Sequence, residues 1–74
     1  MAYTLGKRIH DLRRARKLTI AQLAEKLDIS PFAVSRWENG HTLPRMRLIP
    51  KIARALGVSV PKLWTLQTKK ERKR

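Results

Sequence analysis

Four neighbouring side chains near the middle of the chain have the chemistry to recognise a ligand. They are an aromatic ring, a hydroxyl, a guanidinium and an amide, at Phe32, Ser35, Arg36 and Asn39. At helical spacing they share one face, while Val34 and Trp37 point the other way. Such groups can contact base edges or phosphates in a major groove, so we expect this face to bind and the opposite face to be core.

Other chemistry has little support in the sequence. His10 and His41 lie far apart with no thiol or carboxylate cluster nearby, which argues against a metal site. No nucleophile is paired with a base, no glycine-rich phosphate loop is present, and the chain has only five Asp and Glu. We therefore expect no catalytic residue, no metal and no cofactor, and a protein that is not an enzyme.

The charge of the chain is its strongest compositional feature. Eighteen Lys and Arg against five Asp and Glu give a net charge of +13. Residues 1–66 hold thirteen of the cations and four of the acids, so they carry +9 without the C-terminal run. An excess this large favours a polyanionic partner, with nucleic acid ahead of a membrane surface.

Length and hydropathy predict a simple organisation. Seventy-four residues are enough for one small core, which we assign to a domain of residues 1–66. Residues 67–74 are mostly charged and are expected to form a disordered basic tail. There is no cysteine, and no apolar run approaches the roughly 18 residues of a membrane span, so a cytoplasmic protein is expected.

Two short helices must position the candidate side chains. Thr19 and Gln22 have the spacing of a capping box, which begins one helix. Ser30 followed by Pro31 begins the next, and Gly40 ends it. Helices this short, joined by so tight a turn, must cross steeply, which is the helix-turn-helix arrangement.

Caps and apolar spacing predict three further helices. Thr4 caps a first helix that runs to about Lys17. Residues 41–48 are expected to be a loop, with a fourth helix beginning at Pro50, because a proline inside a helix costs about 3 kcal/mol. That helix ends before Gly57, and Ser59 caps a last helix through about Leu66.

The helix-turn-helix segment resembles that of the phage repressor and Cro (XRE-like) family. The resemblance rests on Gln22-Leu23-Ala24, Ile29-Ser30 and Val34-Ser35-Arg36-Trp37-Glu38-Asn39-Gly40, and continues through Pro44 and residues 52–60. It implies an all-α, compact five-helix fold like that of lambda repressor. It also implies a transcriptional regulator that acts as a repressor. Such a protein binds double-stranded DNA as a homodimer on a palindromic operator, with residues 31–39 in the major groove.

Family resemblance and side-chain chemistry together assign the DNA contacts. The residues expected to contact bases are Pro31, Phe32, Ser35 and Arg36. Those expected to contact the backbone are Arg14, Thr19, Ile20, Gln22, Asn39 and His41. Phe32 is expected to contact either a thymine methyl in the major groove, which is favoured, or a neighbouring side chain of its own domain. Arg36 is expected either to pair with a guanine or to contact a phosphate.

The resemblance also implies structural roles. An arginine at the position of Arg13 pairs in this family with the glutamate at Glu38. Asp28 stands where the family often has glycine with a positive φ, a conformation that aspartate tolerates better than most residues. Because a separate dimerisation domain has no room, the expected dimer contact is the domain surface at Val58, Val60 and Trp64.

Two other classes of function compete with DNA binding. The first is a protein-interaction module that keeps the fold, such as a DNA-binding antitoxin or a coactivator whose main partner is a protein. The charge of +9 on residues 1–66 argues against it, since a protein-binding module has no need of that excess. RNA binding has less support, because pairs of exposed aromatic residues for base stacking are lacking.

Overall fold

The chain folds into five α-helices and one 3₁₀ turn in the part that this computed structural model describes, residues 4–64. That part contains no strand, and the all-α, five-helix fold expected from the sequence is confirmed. The helices are α1 (Leu5–Ala15), α2 (Ile20–Leu27), α3 (Pro31–Glu38), α4 (Ile49–Leu56) and α5 (Val60–Leu63), with the 3₁₀ turn at Met46–Leu48.

Four of the helices begin at a side-chain cap, as the sequence predicts. In each case a hydroxyl accepts a hydrogen bond from the amide three residues further on; these caps are Thr4, Thr19, Ser30 and Ser59. At the start of α2 the capping box is complete, because the Thr19 amide also donates to Oε1 of Gln22 at 2.8 Å. The caps satisfy amides that have no partner within the helix, and so fix where each helix begins.

Three helix boundaries differ from the prediction. Helix α3 ends at Glu38 instead of Asn39, which is its C-cap. Helix α1 ends at Ala15 instead of Lys17, because Lys17 adopts a left-handed φ of 57° and the Leu18 amide donates back to the Arg13 carbonyl at 3.1 Å. Helix α4 begins at Ile49, one residue before Pro50. A proline in the second position is tolerated there, since amides of the first turn have no helical partner.

The segment between α3 and α4 is also more regular than the predicted loop. Its last residues form the 3₁₀ turn, closed by a hydrogen bond of 2.8 Å from the Leu48 amide to the Arg45 carbonyl. This turn leads directly into α4. The predicted extension of the last helix to Leu66 and the predicted tail 67–74 both lie outside the described residues.

Every helix contributes a fully buried residue to one core. Ile9, Leu23, Val34, Ile52 and Leu63, one from each helix in order, have no exposed surface. Trp37, on the face of α3 predicted to be core, is 5% exposed. The inward face of α3 is therefore held by contacts with the whole domain, which leaves its other face for solvent or a ligand.

A glycine allows α1 to approach the end of α3. A Cβ atom on Gly6 would lie 1.9 Å from the carbonyl oxygen of Trp37, far closer than such atoms can come. Helix α1 can therefore cross α3 at this distance only because residue 6 has no side chain. The crossing fixes how α3 is presented relative to the rest of the domain.

The turn between α2 and α3 includes a left-handed residue, as expected. Asp28 has φ 60° and ψ 44°, and its amide donates to the Ala24 and Glu25 carbonyls at the end of α2. The chain then needs only Ile29 and Ser30 to reach the first residue of α3. This short connection sets α2 and α3 in the helix-turn-helix arrangement.

Candidate nucleic-acid interface

Helix α3 has one buried face and one accessible face. Val34 and Trp37 are buried, whereas Pro31 and Phe32 are exposed and Ser35 and Arg36 are half-buried. The structure thus brings the four residues predicted to contact bases onto the side of α3 that the core leaves open. Phe32, at 69% exposed, is the most accessible of the large apolar residues on this helix.

The Phe32 ring has a partner within the domain. The Cζ atom of Arg36 lies 5.6 Å from the ring centroid, within the range of a cation–π interaction. The two residues are four apart on α3, the spacing at which side chains on successive turns meet. Of the two partners that the sequence leaves open for Phe32, a neighbouring side chain of its own domain is therefore present.

Two polar side chains on the accessible side of α3 are also joined. The Asn39 side-chain amide donates to the Ser35 hydroxyl at 3.3 Å. Asn39 caps the end of α3, and the amide of His41 donates to the Arg36 carbonyl at 2.9 Å just beyond it. Asn39 and His41, both exposed, thus lie at the C-terminal end of α3.

The remaining residues predicted to contact the DNA backbone lie on α1 and at the start of α2. Thr19 and Gln22 are exposed, and their side-chain oxygens already accept hydrogen bonds within the capping box. Ile20, the first residue of α2, is half-buried and its side chain packs against the core. Arg14 is exposed in the last turn of α1.

An ion-pair cluster fastens α3 to α1. Arg13 donates to both carboxylate oxygens of Glu38, from Nε at 2.7 Å and from Nη2 at 3.0 Å. Its third donor, Nη1, reaches the Leu18 carbonyl at 2.8 Å. The Arg13 and Glu38 side chains are only 10% and 6% exposed. The pair that the family resemblance implies is therefore present, and it is largely buried.

A histidine completes this cluster. His10 Nδ1 lies 3.0 Å from Oε1 of Glu38 and 3.3 Å from Nη2 of Arg13. In the tautomer that carries a hydrogen on Nδ1, His10 donates to the Glu38 carboxylate. From the sequence, His10 was weighed only as a metal ligand, so this role was missed. Its position three residues before Arg13 on α1 was the available signal, since that spacing puts both side chains on the same face.

The cluster lowers the pKa of Glu38. Burial alone raises it, but hydrogen bonds from Arg13 and His10, together with their positive charge, outweigh that effect and hold the pKa below its ordinary value. Glu38 therefore remains a carboxylate at neutral pH. A charged Glu38 can anchor Arg13 continuously, which keeps the C-terminal end of α3 fixed against α1.

Two arginines, one on α1 and one just beyond its end, serve the fold. Nη2 of Arg8 donates to the Lys62 carbonyl in α5 at 3.0 Å. The Arg16 guanidinium lies beside Gly57, the residue that caps the end of α4, and occupies the space that a Cβ on Gly57 would need. Such contacts pair a cation with the carbonyl end of a helix, where the helix dipole favours positive charge. Arg14, by contrast, stays exposed and available to a ligand.

The residues predicted to form a dimer contact differ in accessibility. Val58 and Val60 are half-buried and pack against the core, whereas Trp64 is 42% exposed. Two exposed apolar residues that the sequence analysis did not single out lie between α3 and α4: Leu43 and Met46 are 71% and 73% exposed. Trp64 thus offers the most accessible part of the predicted contact.

The described residues hold neither a metal-binding cluster nor a membrane-spanning helix. Between residues 4 and 64, no group of three or more His, Cys, Asp or Glu side chains is arranged to hold a metal ion. No helix in the same range has the length and apolar character needed to cross a bilayer.

Comparison with known proteins identifies the family. A helix-turn-helix family model matches residues 9–63. Multiprotein-bridging factor 1 of Candida albicans is 37% identical over 77% of this chain and 38% of its own length. The immunity repressor protein of Bacillus phage phi105 is 39% identical over 77% of this chain and 40% of its own length. The chain therefore spans about two fifths of the length of these two relatives.

A solved structure shows the same fold. The P22 c2 repressor, in complex with a synthetic operator, superposes with a TM-score of 0.74 and is 30% identical, covering 80% of this chain and 89% of that one. The family model covers more than half of the chain, including all of α2, α3 and α4. The resemblance predicted from the sequence is confirmed: this chain belongs to the helix-turn-helix family of phage repressor type.

Proposed function

We propose that this chain is a sequence-specific DNA-binding domain that regulates transcription as a repressor, without enzymatic activity. The observation that carries the proposal is the division of α3. Val34 and Trp37 lock one face into the core, while the other presents the accessible groups of Phe32 and Arg36. A helix fixed on one side and polar or aromatic on the other is suited to the major groove.

In this proposal the contacts on α3 read sequence and the contacts around it set position. Pro31, Phe32, Ser35 and Arg36 face the bases. Phosphates are contacted by Arg14, Thr19, Ile20, Gln22, Asn39 and His41, partly through main-chain amides at the start of α2. The charge of +9 on residues 1–66, with that of the tail 67–74, attracts the duplex. Support comes from the P22 c2 repressor, whose fold this chain shares and which is seen on an operator.

A single helix reaches few base pairs, so we further propose a homodimer on a palindromic operator. The contact between copies is assigned to Val58, Val60 and Trp64. Trp64 is the accessible member of the three, at 42% exposed. The proposed compartment is the cytoplasm, with the chain associated with the nucleoid through its DNA binding.

Selection of bound duplexes from a random DNA pool tests the function. The expected result is a palindromic motif with half-sites about one helical turn apart. Trp64→Ala is expected to retain the half-site motif and lose cooperativity between the halves, with α-helical content unchanged. If the parent chain enriches no motif, sequence-specific binding is refuted; if the motif is a single half-site, the dimer is refuted.

Salt dependence provides an independent measurement. A dimer that contacts about 6 to 10 phosphates should lose roughly 10³ to 10⁵ in affinity between 50 and 200 mM salt. Removal of residues 68–74 should reduce the slope without altering the selected motif, because a basic tail neutralises phosphates but does not read bases. A shallow slope for the full chain would contradict DNA binding.

A second candidate function is a protein-binding module, and one observation favours it. Multiprotein-bridging factor 1 is among the relatives, and Leu43 and Met46 present exposed apolar surface between α3 and α4. The two candidates give opposite results in the selection experiment. A bridging module would enrich no motif, and Leu43→Ser with Met46→Ser would then abolish capture of its protein partner while the fold is retained.

A further inference from the structure

The Phe32 ring and the Arg36 guanidinium form a single unit on the accessible face of α3. We propose that Phe32 is a positioning residue, which holds Arg36 in the orientation that pairs with a guanine, so that the two side chains determine one base pair together. The inference rests on the proposed function and assigns how one part of the operator is read. It also replaces direct contact with a thymine methyl as the main role of Phe32.

The guanidinium of Arg36 has N–H donors that are not used within the described residues, and its contact with the Phe32 ring orients them. The Arg36 guanidinium makes no hydrogen bond or ion pair with any residue between 4 and 64. Its described side-chain contact is with the Phe32 ring, at 5.6 Å from Cζ to the centroid. The N–H groups of Arg36 therefore remain available to a base.

Orientation matters because arginine is long and its contact with guanine is demanding. Bidentate pairing needs two N–H groups aimed together at O6 and N7 of one base. Several rotatable bonds must be fixed to achieve this, at a cost in conformational entropy. A ring one turn earlier on the helix restricts those bonds before DNA arrives, so less freedom is lost on binding.

The position of Phe32 indicates that the ring serves the ligand rather than the fold. The ring is 69% exposed, so it contributes little to the core. The start of α3 is already fixed by the Ser30 cap and by Pro31 in the first position. A large aromatic residue in such a place adds little to stability, and Phe32 can be changed without unfolding the domain.

The test measures discrimination at one base pair. The operator is first selected with the parent chain. The guanine that Arg36 reads is then identified as the one whose replacement by adenine lowers the affinity of the parent but not that of Arg36→Ala. Affinities for the operator with and without that guanine are then measured for the parent, Phe32→Ala, Phe32→Leu and Phe32→Tyr. The Leu variant keeps apolar bulk but lacks a π face, and the Tyr variant keeps the face. Circular dichroism of each variant checks that α-helical content is preserved.

The expected result is that Phe32→Ala and Phe32→Leu each lower discrimination at that guanine about two- to fivefold, the contribution of a solvent-exposed cation–π pair. Phe32→Tyr should retain it. In the Arg36→Ala background the Phe32 substitutions should cause no further loss at this base, because there is no guanidinium left to position.

Three results would overturn the inference while leaving the proposed function intact. The first is full discrimination by Phe32→Leu, which would make the ring an ordinary apolar contact. The second is a loss confined to a neighbouring thymine and reproduced by uracil, which would make the methyl its partner. The third is an Arg36→Ala variant that keeps every base preference. If the parent selects no motif at all, the proposed function fails, and the inference with it.

Discussion

Replacement of Arg13 by alanine is expected to lower the free energy of unfolding by about 3 kcal/mol. Arg13 makes two hydrogen bonds to the buried Glu38 carboxylate, at 2.7 and 3.0 Å, and a third to the Leu18 carbonyl at 2.8 Å. Removal of one partner of a buried ion pair typically costs about 3 to 5 kcal/mol, because the other charge is left without compensation.

The lower end of that range applies here for a structural reason. His10, whose Nδ1 lies 3.0 Å from Oε1 of Glu38 in the parent chain, remains as a partner for the carboxylate, and Glu38 can take up a proton. A loss of about 3 kcal/mol is nevertheless large for a domain of this size, whose total stability lies toward the lower end of about 5 to 15 kcal/mol. Much of the chain should therefore unfold on modest heating.

Urea unfolding followed by circular dichroism measures the effect, and Arg14→Ala provides the matched control. Arg14 is the next residue on α1 and is exposed, so its removal should change stability by no more than about 0.5 kcal/mol. In a Glu38→Gln background, Arg13→Ala should cost less than in the parent. Equal stability of the Arg13→Ala and Arg14→Ala variants would refute the reasoning that this cluster fastens α3 to α1.

Three further predictions follow from backbone geometry and from the Glu38 carboxylate, each measured by urea unfolding. Gly6→Ala should cost at least about 2 kcal/mol, although alanine normally favours helix, because its Cβ would overlap the Trp37 carbonyl. Asp28→Gly should raise stability by up to about 1 kcal/mol by relieving a left-handed φ of 60°, whereas Asp28→Ala should lower it. Burial raises the pKa of Glu38, but its hydrogen-bonded partners lower it more, so the pKa is lower in the folded chain than in the unfolded chain. The stability that this group contributes is therefore present above the unfolded pKa, at about pH 4.3, and is lost as the pH falls through the folded pKa. Glu38→Gln should remove this loss.

Most helix starts were predictable from the sequence because they depend on neighbouring residues. A Ser or Thr hydroxyl that can accept from the amide three residues later, or a proline in the first helical position, specifies a helix start with little help from the rest of the chain. Thr19 and Ser30 are examples. The positive φ of Asp28 was predicted from family resemblance. Its conformation is local too, since a tight turn between two helices requires it.

Features that depend on contacts across the fold were missed. The role of His10 depends on Glu38, twenty-eight residues away, and the need for Gly6 arises from the Trp37 carbonyl on another helix. The contact of Arg8 with the Lys62 carbonyl spans fifty-four residues. Spacing within a helix shows which side chains lie on the same face. The partner of such a side chain on a distant helix follows only from the packing of the five helices against each other.

The measurement that tests the central claim most directly is a nuclear magnetic resonance titration of the labelled chain with the selected operator and with a scrambled duplex of equal composition. The claim is that the accessible face of α3 and the start of α2 bind DNA while the opposite face supports the fold. The largest amide shift changes specific to the operator should therefore fall between residues 31 and 41, with smaller ones around 19–22. Operator-specific changes concentrated in α4 or α5, with α3 unaffected, would contradict it.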